Sequence, residues 1–408
     1  MDTSPGAPEP ITDEWITDHF DYLSPTYARE LHPTLARMRA LCPTAHSDQH
    51  GGYWIVTRYE DVLRVAQDWQ TFSSQLGVGI PGDDHGGTAI PEHIDPPLHR
   101  EYKRLINAYF TPGAVRPYEE PTRALVTRLV DAFVERGRCD FMAELASPFP
   151  GLAFFQLVLN APDDRVRELN DFATGVSTPT NPDRKACWDG LTSWIGDFVA
   201  DRRRQPRRDD VVDAILHGRI EDRPISEGEI VAMILLLILG GLETTAGALG
   251  HFMIRFCREP EIPALLRTSP ELVPDAVEEL LRLEASFIAI GRTVRNDTAL
   301  DGNPVRAGEK VLLSWASANR DEDEFECPAD FRLDRPSNRH LAFGAGPHRC
   351  AGSNLARLNL RVAVQEIVQR LDQLQLAIPE AEIPFHNAFN RSPLALPISF
   401  TPGPRVGD

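Results

Sequence analysis

Cysteine is scarce in this 408-residue chain: the six residues Cys42, Cys139, Cys187, Cys257, Cys327 and Cys350 stand far apart. With no Cys-x-x-Cys pair and no His-Glu-x-x-His, the sequence suggests neither a disulfide framework nor a zinc site built from protein ligands. Positive charge is also in short supply, 42 Lys and Arg against 60 Asp and Glu, for a formal net charge of −18. That balance argues against general nucleic-acid binding and favours solubility. Met1 to Pro10 has neither the basic start nor the apolar centre of a signal peptide or membrane anchor, so a cytoplasmic protein is expected. The one long apolar run, Ile230 to Leu242, is too short to span a bilayer and is followed at once by Glu243-Thr244-Thr245. It reads as a helix buried in a soluble core.

What is present is a 42% apolar composition with 28 glycines and 34 prolines, enough for a sizeable core interrupted by many turns. No linker-like break divides residues 1–408, so one unit is expected, with roughly the first 20 residues flexible and no fused reductase. Helical periodicity predicts helices near 98–110, 115–136, 163–176, 184–204, 226–256, 259–267, 271–284 and 352–372. Strand-like runs appear at Tyr53 to Thr57, over 290–316 with turns at Asp301-Gly302-Asn303-Pro304 and Ala307-Gly308, and in the tail from about 374. Residues 73–98 read as a long loop of the kind that is functional or mobile. The fold class is mainly α with a small β-rich region.

Three segments carry chemistry. Phe343-Gly344-Ala345-Gly346-Pro347-His348-Arg349-Cys350-Ala351-Gly352 sets one cysteine in a glycine-framed loop running into a helix. Glycines 344, 346 and 352 permit positive φ and close approach of a flat ligand, while helix-terminal N–H groups favour Cys350 as thiolate. The other five cysteines are expected as buried small hydrophobes. In Gly240-Gly241-Leu242-Glu243-Thr244-Thr245, two glycines cost a helix roughly 1 kcal/mol each relative to alanine, which points to something needing space beside them. An acid and a hydroxyl in succession there can open the backbone locally and carry protons inward, although a core helix ending in capping residues fits the same letters. Glu279-Leu280-Leu281-Arg282 places opposite charges on one helical face.

The cysteine loop resembles the haem-binding signature of the cytochrome P450 family, Phe-Gly-x-Gly-x-His-x-Cys-x-Gly, at every defined position. The resemblance implies a triangular prism-like, mainly helical fold that binds haem b (iron protoporphyrin IX), with Cys350 as the axial iron ligand. It assigns Glu243 and Thr244 to proton delivery, glutamate standing where aspartate is commoner, with Gly240 and Gly241 beside the haem. Phe343, Gly344 and Gly352 shape the loop, and His99, Lys103, Arg292 and His348 match the haem-propionate contacts. Lys103 replaces the usual arginine, so a bidentate clamp becomes a point charge, which Arg104 could compensate. Glu279 and Arg282, joined by Arg335 beyond Pro328-Ala329-Asp330-Phe331, match the cluster that braces the fold behind the haem.

The implied activity is insertion of one oxygen atom from O2 into a modest-sized, largely apolar substrate, lined by Val78, Ile80, Leu236, Leu237, Ile288, Ile290 and Leu394. Electrons are expected from NAD(P)H through a ferredoxin reductase and a ferredoxin. Arg100, Lys103, Arg104, Arg349, Arg357 and Arg361 could form the acidic donor's docking patch, or an ordinary solvated face. Arg202 to Arg208 reads as a solvated helix end. A peroxide-using peroxygenase and a non-catalytic haem or gas-binding protein are the alternatives.

Overall fold

The computed structural model describes residues 11–82, 89–161, 165–178 and 181–407, without the Ser177 side chain. Its organising element is a 32-residue helix, Glu227–Arg258. Ser226 starts it through a capping box: its hydroxyl accepts from the Glu229 N–H, and the Glu229 carboxylate accepts from the Ser226 N–H. The helix is long and apolar enough to cross a membrane, so length does not exclude that reading. Burial identifies it as a core helix, since Ile230 to Leu235 and Thr245 to Phe256 are largely enclosed by the helices Pro148–Ala153, Val166–Ser177 and Arg184–Arg203.

The remaining expected helices form at Leu98–Asn107, Glu119–Asp131, Glu261–Thr268, Val273–Glu284 and Ser353–Arg370. A five-stranded sheet orders the strands Thr44–Ser47, Tyr53–Val56, Lys310–Ser314, Ala289–Val294 and Phe72–Ser73. Its pairs are antiparallel except Lys310–Ser314 with Tyr53–Val56. Asp301 (φ 47°) and Gly302 (φ 78°) make the two-residue turn that joins Thr298–Leu300 to Asn303–Val305. The tail supplies Asp372–Leu376 and Pro397–Thr401, which pair with each other, and the hairpin of Phe385–Asn387 with Arg391–Pro393.

Several expectations need correction. The flexible start does not include residues 11–20, because Asp13–Asp18 is helical, capped by Thr12, and Ile16 and Phe20 are buried. The helices Pro25–Arg29 and Leu31–Leu41 went unpredicted, as did helical structure from Met142 to Val158, where Pro148, Pro150 and Gly151 mask the periodicity. Arg202 is not solvated but buried against Asp210 and Asp213. Cys327 is exposed rather than a core hydrophobe.

Between Ala318 and Gly346 the chain has no helix or strand. One buried carboxylate organises much of it. Both Glu279 oxygens accept from Arg282, at 2.7 and 2.9 Å, and Glu279 also takes bonds from Arg335 Nε, Asn338 Nδ2 and the Arg332 N–H. Arg282 further donates to the carbonyls of Asn319, Pro328 and Asp330. Glu279→Ala leaves this fully enclosed arginine unpaired and is expected to cost about 3–5 kcal/mol, read as a lowered denaturation midpoint in urea.

Candidate active site

The cysteine loop is held from three sides. Gly344 (φ 66°) and Gly346 (φ 69°) take the left-handed conformation, and a Cβ on Gly346 would lie 2.3 Å from the Ala66 carbonyl oxygen. Gly352 does not share this reason. Its φ is −80°, and it caps the Ser353–Arg370 helix with its N–H donating to the Cys350 sulfur. Lys103 reaches across from the Leu98–Asn107 helix, its ammonium donating to the carbonyls of Pro347 at 2.8 Å and Arg349 at 2.5 Å. From the helix after the loop, Arg357 lies 4.4 Å over the Phe343 ring and makes a bidentate pair with Glu278 at 2.7 Å.

These contacts revise two expectations. Lys103 gives two of its three ammonium donors to loop carbonyls, and Arg104 does not substitute for the usual arginine, since it is exposed and paired with Glu101. Arg357 is a structural brace rather than a free docking cation. Cys350 has exposed surface although protein atoms surround it densely, so it faces a recess in the protein. Burial raises its thiol pKa, outweighing the Gly352 N–H, Lys103, Arg349 and Arg357, which all favour thiolate. The loop alone therefore does not ionise this cysteine as expected; a coordinated cation is what deprotonates such a thiol.

Beside the loop lies a cluster of potential anion-binding groups. His99 and His348 have ring centroids 4.3 Å apart, and neither nitrogen of buried His99, nor His348 Nε2, has a hydrogen-bond partner. Arg292, enclosed at the strand Ala289–Val294, gives its NH1 to the Gly291 carbonyl and stands 3.5 Å from Glu92. Glu92, absent from the expected set, is also 3.4 Å from His348 Nδ1. Burial opposes its ionisation, but His348, Arg292 and His93 outweigh that and hold its pKa down at about 2. Burial, His348 and Lys103 push His99 down to about 3. Unsatisfied enclosed polar atoms are costly, and these suit a ligand bearing carboxylates. A flat cofactor with a metal for Cys350 and carboxylates for His99, His348 and Arg292 therefore fits the residues present.

On the long helix the two glycines differ. Gly240 has open space where a Cβ would be, whereas one on Gly241 would meet the Phe154 ring at 2.9 Å. Gly240 thus leaves room beside the helix, and Gly241 lets Phe154 pack. The helix stays continuous here, and the Thr244 hydroxyl donates to the Gly240 carbonyl at 2.9 Å. The largely enclosed Glu243 side chain has an oxygen 3.2 Å from Nε2 of His386, another residue the sequence did not single out. Both Glu92 and His386 are isolated polar residues in irregular or short-strand sequence, which carries no periodic signal.

Of the expected apolar lining, Leu236 and Leu237 are half-buried one turn before Gly240. Ile80 and Ile288 instead pack in the core of the N-terminal helices, Val78 and Ile290 pack in the core around the five-stranded sheet, and Leu394 is exposed. The long loop expected at 73–98 is described only outside residues 83–88.

Residues 155–387 match the profile of the family described as cytochrome P450. Nocardicin C N-oxygenase of Nocardia uniformis subsp. tsuyamanensis is 35% identical, covering 91% of this chain and 96% of its own. Steroid C26-monooxygenase of Mycolicibacterium smegmatis is 33% identical over 87% of this chain and 89% of its own. The solved structure of cytochrome P450 CYP109Q5 from Chondromyces apiculatus superposes with a TM-score of 0.83 at 28% identity, covering 95% of this chain and 99% of that one.

The Glu278 carboxylate gives a pH-dependent test of the loop's brace. Burial raises its pKa, but bonds from His340 and Arg357 dominate and lower it from 4.5 to about 2. Its contribution to stability is full above pH 4.5 and is lost as pH falls towards 2. Glu278→Gln is therefore expected to be less stable than wild type at neutral pH, the gap in thermal midpoint closing across that acid window.

Proposed function

The chain belongs to the cytochrome P450 family of haem monooxygenases, and from that premise we propose that it inserts one atom of O2 into a modest-sized, largely apolar organic molecule. Its electrons come from NAD(P)H through a ferredoxin reductase and a ferredoxin, in the cytoplasm. The observation that carries the reading is Cys350, seated in a loop with left-handed Gly344 and Gly346, facing a recess beside His99, Arg292 and His348.

Haem b, when bound, supplies oxygen binding and oxygen transfer. The chain's own residues do the rest. Cys350 would hold the haem iron through sulfur, and His99, Arg292 and His348 would take its carboxylates. Lys103 and Arg357 keep the loop from shifting, through its carbonyls and Phe343 respectively. Gly240 keeps the helix face clear, while Thr244, anchored to the Gly240 carbonyl, and Glu243 hold and move protons at their hydroxyl and carboxyl oxygens. Leu236 and Leu237 exclude water and favour apolar surface. The two relatives carry names with unlike substrates, a steroid and nocardicin C. Substrate class here accordingly rests on the apolar wall of this chain.

With Arg357 occupied and Arg361 half-buried, the exposed Arg100 and Arg349 are cations of the expected patch available to an acidic electron donor; Lys103 brings their two segments together. Charge reversal of both, Arg100→Glu with Arg349→Glu, is expected to slow reduction by a ferredoxin roughly tenfold at low salt, with less effect at high salt. Stopped-flow reduction measures this, and an unchanged rate counts against the patch. For the family assignment at the site, dithionite-reduced protein under carbon monoxide is expected to show a strongly red-shifted Soret band. Absence of that band in folded, haem-loaded protein would overturn the role of Cys350.

A further inference from the structure

A chain of polar groups leads away from Glu243 towards the surface. His386, in the short strand Phe385–Asn387, is buried, with Nε2 at 3.2 Å from Glu243 Oε1 and Nδ1 at 3.2 Å from the Thr178 hydroxyl. Thr178 follows the Val166–Ser177 helix and is half-buried. Its hydroxyl donates to the Thr174 carbonyl at 2.8 Å, which is the shorter of its two contacts. The hydroxyl proton therefore points at Thr174, and the oxygen's lone pair is left to accept N–H from His386 Nδ1. Nε2 is then the imidazole atom that gains or loses a proton, and it faces Glu243. A carboxylate oxygen and an unprotonated ring nitrogen would oppose lone pairs at that distance unless a proton resides on one of them. The oxygen lies off the axis of an Nε2–H bond, so transfer requires a small rotation of the Glu243 side chain.

We propose that His386 is the positioning residue of the proton path: Glu243 and His386 share one labile proton, which Glu243 delivers inward and His386 restores from the Thr178 side. This rests on the monooxygenase reading. The step is a proton transfer alone, with Nε2–H giving its proton to the Glu243 carboxylate and the imidazole returning to neutral. Other charged groups stand apart from Nε2. Arg391, on the paired strand, lies 3.8 Å over Phe385 and gives its Nε to the Ala28 carbonyl. Phe385 precedes His386, so the two side chains leave opposite faces of the strand. The helix Pro25–Arg29, packed on the same strand, brings Tyr27, kept protonated by burial, and the exposed Arg29. Burial also pushes the His386 pKa down to about 4, so its resting form is neutral and a proton placed on it is readily given up.

The test uses haem-loaded protein, reduced and carbon monoxide-bound so that it is diamagnetic, with 15N-labelled histidine. NMR is expected to show His386 as the Nδ1–H tautomer near neutral pH. Its titration midpoint should move in Glu243→Gln, as coupled groups require, and its tautomer should change in Thr178→Val. An Nε2–H tautomer in wild type, or a midpoint indifferent to Glu243→Gln, overturns the proposal. As a second measure, oxygen consumption driven by a surrogate ferredoxin and reductase, without organic substrate, is followed against pH in His386→Gln. Glutamine keeps an amide near Glu243 but takes up no proton. Loss of proton relay should lower the rate roughly tenfold and flatten its pH profile. A wild-type rate and profile in His386→Gln would sink the relay while leaving the monooxygenase reading intact. A wild-type protein that consumes no oxygen, although reduced by the ferredoxin, would remove the reading itself.

Discussion

Two consecutive glutamates on one helix carry the constraint on which the site depends. Glu279 faces inward and gathers Arg282, Arg335, Asn338 and the Arg332 N–H, fixing the irregular chain that approaches the cysteine loop. Glu278 turns towards Arg357 and His340, fixing the helix that leaves the loop and the residue just before it. Without a ladder of its own, a segment such as 319–345 must satisfy its carbonyls through side chains. Arginine suits this role because one guanidinium serves several acceptors at fixed angles. A loop clamped at both ends in this way can hold a single sulfur in place.

The same enclosure works against ionisation of that sulfur. Burial raises the Cys350 pKa despite the nearby cations and the Gly352 N–H. The neighbouring polar cluster shows a related tension, with His99 stripped of partners and Glu92 kept ionised by surrounding cations. Both are the marks of a protein interior built around something it must hold. Buried groups that cost stability on their own are of the kind that a metal and carboxylates would satisfy.

Opposite this, the long helix combines an apolar body with one polar turn. Gly240 supplies emptiness, Gly241 supplies contact with Phe154, and Thr244 closes onto the carbonyl four residues back. Glu243 is turned towards the tail hairpin, where His386 links it to the end of a separate helix. Three stretches distant in sequence thus meet at one imidazole.

Properties that depend on a few neighbouring residues were legible in the sequence. The left-handed turns at Gly344 and Gly346, the apolar helix around Ile234 and the spacing of Glu279 with Arg282 are all local, each carried by contiguous letters. The partners of Lys103, Arg357, Glu92 and Glu243 were decided only by tertiary structure. Lys103 meets carbonyls some 245 positions away, and carbonyls are invisible in sequence because every residue has one. Glu92 and His386 looked like ordinary polar residues because their surroundings are assembled from remote segments. Burial, which disfavours the charged form of each of these groups, likewise exists only once the chain has packed.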